Sequence, residues 1–332
     1  MKALQMMRGI CILAVIATHV RFDNSMIHAN FIIQNIINVA VAGFVFLAGY
    51  FVNIDKALEN PMRFVGRRFT RIMVPYFAWT FFWWAIDIFV GEGVLTSKKI
   101  INELMIGRGP LYFCVVIFYL SVLTPLILKY MDNKYVNIVF WILTPITLVF
   151  TYYYQINVGP LHYTGAAIPT IWFVYYYSGI KMQNCEVNLP GKFLFFLMSS
   201  GFVAELAETW LLYGISGDKQ FAGSPLRIFP FIYIMSFCML FVKYRNALNR
   251  NNMLTRLGDA SFGIYLCHGA ILGFIIKLVG LACGNMVESR VLIYVSYVII
   301  VTVSAAVLSW LFVFVVKRYA SQWFLKMIGF SK

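Results

Sequence analysis

About ten apolar stretches, each near 20 residues long, follow one another along this chain, and its charges fall almost wholly at their ends. A bilayer core about 30 Å thick takes roughly 20 apolar residues as a helix. A segment in lipid must also satisfy its own backbone N–H and C=O groups, which leaves helices or closed barrels. The pattern predicts an all-α, polytopic membrane helix bundle of about ten transmembrane helices. The spans fall near 4–21, 32–52, 72–91, 110–129, 135–153, 166–182, 192–213, 225–243, 261–282 and 290–316. Only 12% of residues are charged, about half the share in a soluble domain. Short turns such as Met131-Asp132-Asn133-Lys134 join the spans, so 1–332 reads as a single membrane-embedded domain. Tryptophans and tyrosines gather near span ends, as in Tyr152-Tyr153-Tyr154 and Tyr175-Tyr176-Tyr177, which suits an interfacial belt.

The net charge of +14 raises the question of nucleic acid, but its placement at span ends is that of topology signals. No nucleic-acid partner is expected. Nineteen Lys and Arg fall on the side that holds both termini, seven fall on the other side, and Lys277 lies within a span. That bias predicts cytoplasmic termini in a multi-pass membrane protein. Most of the six cysteines sit inside apolar runs and none form a CxxC pair, which argues against a disulfide framework or a zinc site. No metal is expected. The first run lacks a small-residue cleavage site, so it reads as a retained helix.

An ionisable group within a span is costly and raises a functional question. Arg8 and His19, eleven residues apart, lie on one face of the first helix, separated by about 16 Å along its axis. With Arg8 at the cytoplasmic mouth, His19 reaches the membrane middle. The plainer reading is a topology-setting Arg and a core His. Arg67-Arg68-Phe69-Thr70-Arg71 follows Asn60-Pro61, a cap and first-turn pair for a helix. Arg68 and Arg71 share a face, and Pro75 is expected to kink the helix one turn on. Guanidinium forks suit phosphate; plain positive-inside charge is the alternative. Glu205 and Glu208, three apart, either orient a His, hold a proton, balance an interior Arg or lie nearer the surface than the drawn span places them. Asp87 is expected at the interface, Lys277 to snorkel, and His28 and His162 in outer loops without a role.

Together these segments resemble the acyltransferase 3 family of membrane proteins. Arg8-Gly9 followed by His19 matches its Arg-x10-His signature, and Arg68 with Arg71 matches its Arg-x-x-Arg element. Phe44-Val45-Phe46-Leu47-Ala48-Gly49-Tyr50 is similar to its second-span segment, with Ala48 where Ser is common. Leu111-Tyr112-Phe113 followed by Leu123-Thr124-Pro125-Leu126 resembles its fourth-span segment. Leu257-Gly258-Asp259-Ala260-Ser261-Phe262-Gly263-Ile264-Tyr265-Leu266-Cys267-His268 resembles its late stretch.

The resemblance implies an O-acyltransferase without an appended extracytoplasmic hydrolase domain. Such an enzyme moves an acyl group, most often acetyl, from acyl-coenzyme A as co-substrate to a hydroxyl. The acceptor implied is a carbohydrate or lipid-linked glycan of the cell envelope, with membrane lipids around the chain and a homo-oligomer allowed. Arg8, Arg68 and Arg71 would bind the donor's phosphates. His19 would be the general base, with Glu205 or His268 as candidate helpers. A transporter or flippase for an envelope precursor is the rival reading, since it would use the same interior charges without coenzyme A.

Overall fold

The computed structural model describes residues 2–20, 26–91, 96–161, 165–283 and 291–331. His162, together with Arg21, Arg290 and Lys332 of the charge count, lies outside the described residues. The described chain is helical, with no strand. In order the helices are α1 (Lys2–Thr18), α2 (Ile27–Ile37), α3 (Val39–Tyr50), α4 (Ile54–Glu59), α5 (Pro61–Arg68), a π-helical turn (Phe69–Met73) and α6 (Val74–Val90). There follow α7 (Ser97–Met105), α8 (Tyr112–Tyr130), α9 (Lys134–Asn157), α10 (Pro169–Lys181), α11 (Gly191–Ser216) and α12 (Lys219–Gly223). The last four are α13 (Pro230–Lys243), α14 (Met253–Cys283), α15 (Val291–Tyr319) and α16 (Gln322–Met327).

Among the described residues seven segments are long and apolar enough to cross a membrane: Ile27–Tyr50, Pro61–Val90, Gly109–Tyr130, Lys134–Asn157, Gly191–Ser216, Met253–Val279 and Val291–Tyr319. They match seven of the expected spans. At the other three positions the helices are shorter, with 17 residues in α1, 13 in α10 and 14 in α13. Every residue from Ile171 to Ile180 is buried, so protein and not lipid surrounds α10. The same burial moves Tyr175, Tyr176 and Tyr177 out of the interfacial belt the sequence suggested. They are core residues, and the Tyr176 hydroxyl lies 2.6 Å from Thr124 Oγ1. Tyr153 and Tyr154 do face outward.

The short helices α4, α5, α7, α12 and α16 occupy stretches that hydropathy left as loops. Each starts on a side-chain cap, from Asn53, Asn60, Thr96, Asp218 and Ser321 respectively. α14 starts ahead of its expected span because Asn252 and Thr255 exchange side chain–backbone bonds of 2.9 and 3.0 Å at its first turn.

Glycines set the two tightest crossings. A Cβ on Gly9 would lie 2.1 Å from the Leu254 carbonyl oxygen, and one on Gly258 would lie 1.8 Å from that of Gln5. α1 and α14 therefore touch backbone to backbone, as small residues permit in membrane bundles. α3 and α10 cross the same way, with Gly49 against Tyr176 and Gly179 against Phe46. After α16 the chain tucks Phe330 into the interior beside Trp79 and Gly263, and Trp79 Nε1 donates to the Ile328 carbonyl at 3.1 Å.

Inter-loop hydrogen bonds sort the connections into two groups. In one, the Lys2 amide donates to Asn249, Arg245 to the Tyr50 hydroxyl, Lys181 to the Met131 carbonyl and Lys243 to the Val187 carbonyl. In the other, Asn38 bonds Gly223, the Ile228 amide donates to Tyr152 and Tyr294 donates to Asn30.

Candidate active site

Pro75 shapes the arginine segment. It has no N–H, and its ring crowds the carbonyl four residues back. The helix absorbs this as a π-turn, in which the Val74 amide reaches the Phe69 carbonyl. The sequence suggested a kink after the arginines; the distortion instead contains Arg71. Such bulges are frequent at functional sites. Upstream, Asn60 caps α5 through the Arg63 amide at 3.0 Å, with Pro61 in the first turn, as the sequence implied.

Arg8, Arg68 and Arg71 come together around one cavity of about 250 Å³. Its walls are Phe44, Leu47, Ala48 and Phe51 from α3 and just beyond, Phe113 and Cys114 from α8, and Ser261, Phe262 and Tyr265 from α14. The segments quoted above thus converge in space although they are scattered in sequence. Arg8 bonds Gln5 at 3.3 Å and stands over the Phe51 ring at 4.6 Å, while Arg68 stands over Phe64 at 5.3 Å. The ion pairs among the described residues involve Lys99, Arg108 and Arg227, and none reaches Arg8, Arg68 or Arg71. Among the described residues none of the three guanidinium groups has a carboxylate at ion-pair distance, and at the rim of an aromatic cavity such groups can hold an anion.

Tyr265 is part of that cavity's wall. Its ring meets Phe113 edge-on at 5.4 Å, and its hydroxyl donates to the Pro110 carbonyl. One turn further along α14, His268 is buried beside it, with ring centroids 5.8 Å apart. His268 is the central residue of the 31-residue α14. The His19 ring packs on His268, with centroids 5.4 Å apart. His19 is not within the regular helix as expected: α1 ends at Thr18, and the His19 amide bonds Ile16 in a tighter final turn.

Glu205 sits elsewhere. Its carboxylate takes a 2.5 Å bond from Asn38 and pairs with Arg227 at 3.2 Å, so its partners are those two and not His19. Arg227 is wholly buried and also donates to Asn35, Thr209 and the carbonyls of Ser224 and Glu205. Glu208 lies 3.5 Å from Arg227 and accepts from Tyr152 and the Ile228 and Phe229 amides. Of the readings open for this carboxylate pair, the balancing of an interior Arg matches the geometry. Sequence reasoning missed Arg227 by counting it with the topology charges of the outer side, at the very start of the span drawn over 225–243; the helix begins only at Pro230. Two carboxylates three residues apart in an apolar run were the signal that a buried cation had to exist. Asp87 pairs with Lys99 and Arg108, and Glu103 with Arg108. His28 lies on the first turn of α2 with its ring 4.7 Å from Trp210.

A family model described as an acyltransferase domain matches residues 1–314. The chain is also similar to a protein of Staphylococcus aureus strain MSSA476 described as a probable poly-beta-1,6-N-acetyl-D-glucosamine export protein. The two are 23% identical over 321 residues, covering 87% of this chain and 86% of that one. Counterparts from strains MRSA252 and MW2 match to the same degree. No solved structure matches the chain.

Proposed function

The chain belongs to the acyltransferase 3 family, and from that premise we propose that it is an O-acyltransferase of the cell membrane. It moves an acyl group, most often acetyl, from cytoplasmic acyl-coenzyme A to a hydroxyl of a cell-envelope or exported carbohydrate. The reading rests on one observation above others: Arg8, Arg68 and Arg71, with no carboxylate at ion-pair distance among the described residues, line a cavity from which Tyr265 and His268 lead by ring contacts to His19. In this reading the chain crosses the membrane ten times with both termini in the cytoplasm. Burial of α10 inside the bundle is consistent with a span shorter than lipid-facing helices need.

The donor is a polyanion with a thin, mostly apolar arm. Its phosphates suit the guanidinium rim, and the arm suits the aromatic throat. The acceptor hydroxyl gives its proton to His19 as its oxygen attacks the thioester carbonyl, and the sulfur leaves with that proton as a thiol. General-base help of this kind contributes typically 10²–10⁴-fold. Glu205 has a structural part in this scheme, holding α2, α11 and the 224–229 segment together through Arg227.

His19→Ala tests the assignment. Transfer from acetyl-coenzyme A should be lost while melting temperature and donor binding are kept; normal turnover with a lowered melting temperature would return His19 to a packing role. The name of the staphylococcal relatives supports a second reading, export of an envelope glycan. Transport by purified protein in vesicles without any coenzyme A thioester would favour it over acyl transfer.

A further inference from the structure

His268 carries a tautomer fixed by its own helix. Its Nδ1 lies 2.6 Å from the Tyr265 backbone oxygen, and a carbonyl oxygen can only accept. Nδ1 therefore bears the proton, and Nε2 is left with a bare lone pair. That nitrogen has no hydrogen-bond partner, although the residue is only 1% exposed. A buried acceptor without a donor is costly, and each such case in a native structure calls for an explanation. Tyr265 cannot supply the donor, because its hydroxyl is already given to Pro110. The neighbouring ring able to present an N–H is His19, 5.4 Å away between centroids and tilted by 37°.

We propose that His268 is the positioning partner of His19, its Nε2 accepting a hydrogen bond from the His19 imidazolium that forms during transfer. The inference rests on His19 being the base. Ring contact alone makes a packing pair; the fixed tautomer and the unpartnered nitrogen make it directional. The proton balance is closed. The acceptor hydroxyl's proton moves to His19 as the C–O bond forms, and it returns to sulfur as the C–S bond breaks. His268 ends each cycle with the same Nδ1 proton it began with. Its role is to orient the His19 ring and spread the transient charge, in a place where a second full cation beside the first would be unfavourable. A hydrogen bond to a charged partner is worth about 10- to 150-fold in rate when it exists only in the transition state.

The test compares His268→Phe, which keeps ring volume, with His268→Gln, whose amide oxygen can stand where Nε2 does. Both are measured in the full chain beside His19→Ala, by thiol release from acetyl-coenzyme A with an N-acetylglucosamine oligosaccharide as the hydroxyl probe. The proposal expects His268→Phe to lower kcat by roughly 10- to 100-fold at unchanged KM for acetyl-coenzyme A and unchanged melting temperature. His268→Gln should recover most of that loss. Wild-type kcat in His268→Phe overturns the proposal, and so does an equal loss in folded Phe and Gln variants, since the lone pair would then be irrelevant. Should the Phe variant not fold, His268→Met is read by the same criteria. If His19→Ala turns over normally, the base assignment itself fails. If His19→Ala is inactive while His268→Phe is normal, only the partnership falls.

Discussion

Replacing Arg227 with Met should be among the most destabilising single changes this chain can suffer without touching the cavity. The guanidinium makes bonds of 2.7 Å to the Ser224 carbonyl, 2.7 Å to Asn35, 2.8 Å to Thr209, 3.0 Å to the Glu205 carbonyl and 3.2 Å to the Glu205 carboxylate. Glu208 lies a further 3.5 Å away. Met fills most of the volume, so the loss is electrostatic: two carboxylates, 0% and 7% exposed, remain with no cation between them. Removing one partner of a buried ion pair costs about 3–5 kcal/mol. At about 2 °C per kcal/mol for a chain of this size, melting temperature in detergent should fall by roughly 6–10 °C. Adding Glu205→Gln to Arg227→Met removes one of the stranded charges, so the double variant should melt above the single one. Acetyl-coenzyme A binding, followed by calorimetry on whatever fraction stays folded, should be unchanged, because Arg8, Arg68 and Arg71 take no part in this network. A melting temperature within a degree or two of wild type would refute the argument. Lost turnover at full stability would instead return Glu205 to the chemistry.

Other outcomes follow from the cavity and the crossings. Arg68→Ala and Arg71→Ala should each weaken acetyl-coenzyme A binding, with Lys restoring it only in part because it keeps the charge without the two-pronged geometry; full rescue by Lys at both positions would leave them as plain positive-inside charge. Donor affinity in calorimetry should fall as salt is raised, since exposed Arg71 and half-buried Arg8 and Arg68 meet their partners within reach of counter-ions. Gly9→Ala would place a methyl 2.1 Å from the Leu254 carbonyl, so α1 and α14 must part, at a cost of about 1–3 kcal/mol. A lower melting temperature and weaker donor binding are expected together, as Arg8 moves with its helix; a silent Gly9→Ala would contradict the close approach.

Hydropathy alone located the helices well, because lipid imposes a length and a composition that short turns cannot mimic. It failed where the surroundings are protein. Tyr175, Tyr176 and Tyr177 look like interfacial residues in sequence, yet α10 is enclosed by neighbours and its polar tips find partners such as Thr124. It also overlooked α4, α7, α12 and α16, which lie where apolar length is not the criterion, although their Asn, Thr, Asp and Ser caps were there to read, as the Asn60-Pro61 start of α5 was. At the site, the guanidinium forks of Arg68 and Arg71 suggested phosphate chemistry and the family resemblance added Arg8, but only the fold brings the three to one cavity. The link from Glu205 to Arg227 spans 22 residues and two helices, so no local spacing could carry it.

The Glu205–Arg227–Glu208 cluster also bears on how the chain enters the membrane. Ribosomes add roughly 5–20 residues per second, so the 22 residues between Glu205 and Arg227 keep the carboxylates waiting a few seconds for their cation. A charged side chain at mid-helix costs about 2.5–3.5 kcal/mol on insertion scales. α11, with two of them, gains by lingering at the insertion channel until the 224–229 segment emerges. Asn35 and Asn38, synthesised long before, offer the first polar docking point. Arg227 then offsets one of the two carboxylate charges before α11 and α13 pass into lipid, so the order in which charges are translated bears on the assembly of the bundle.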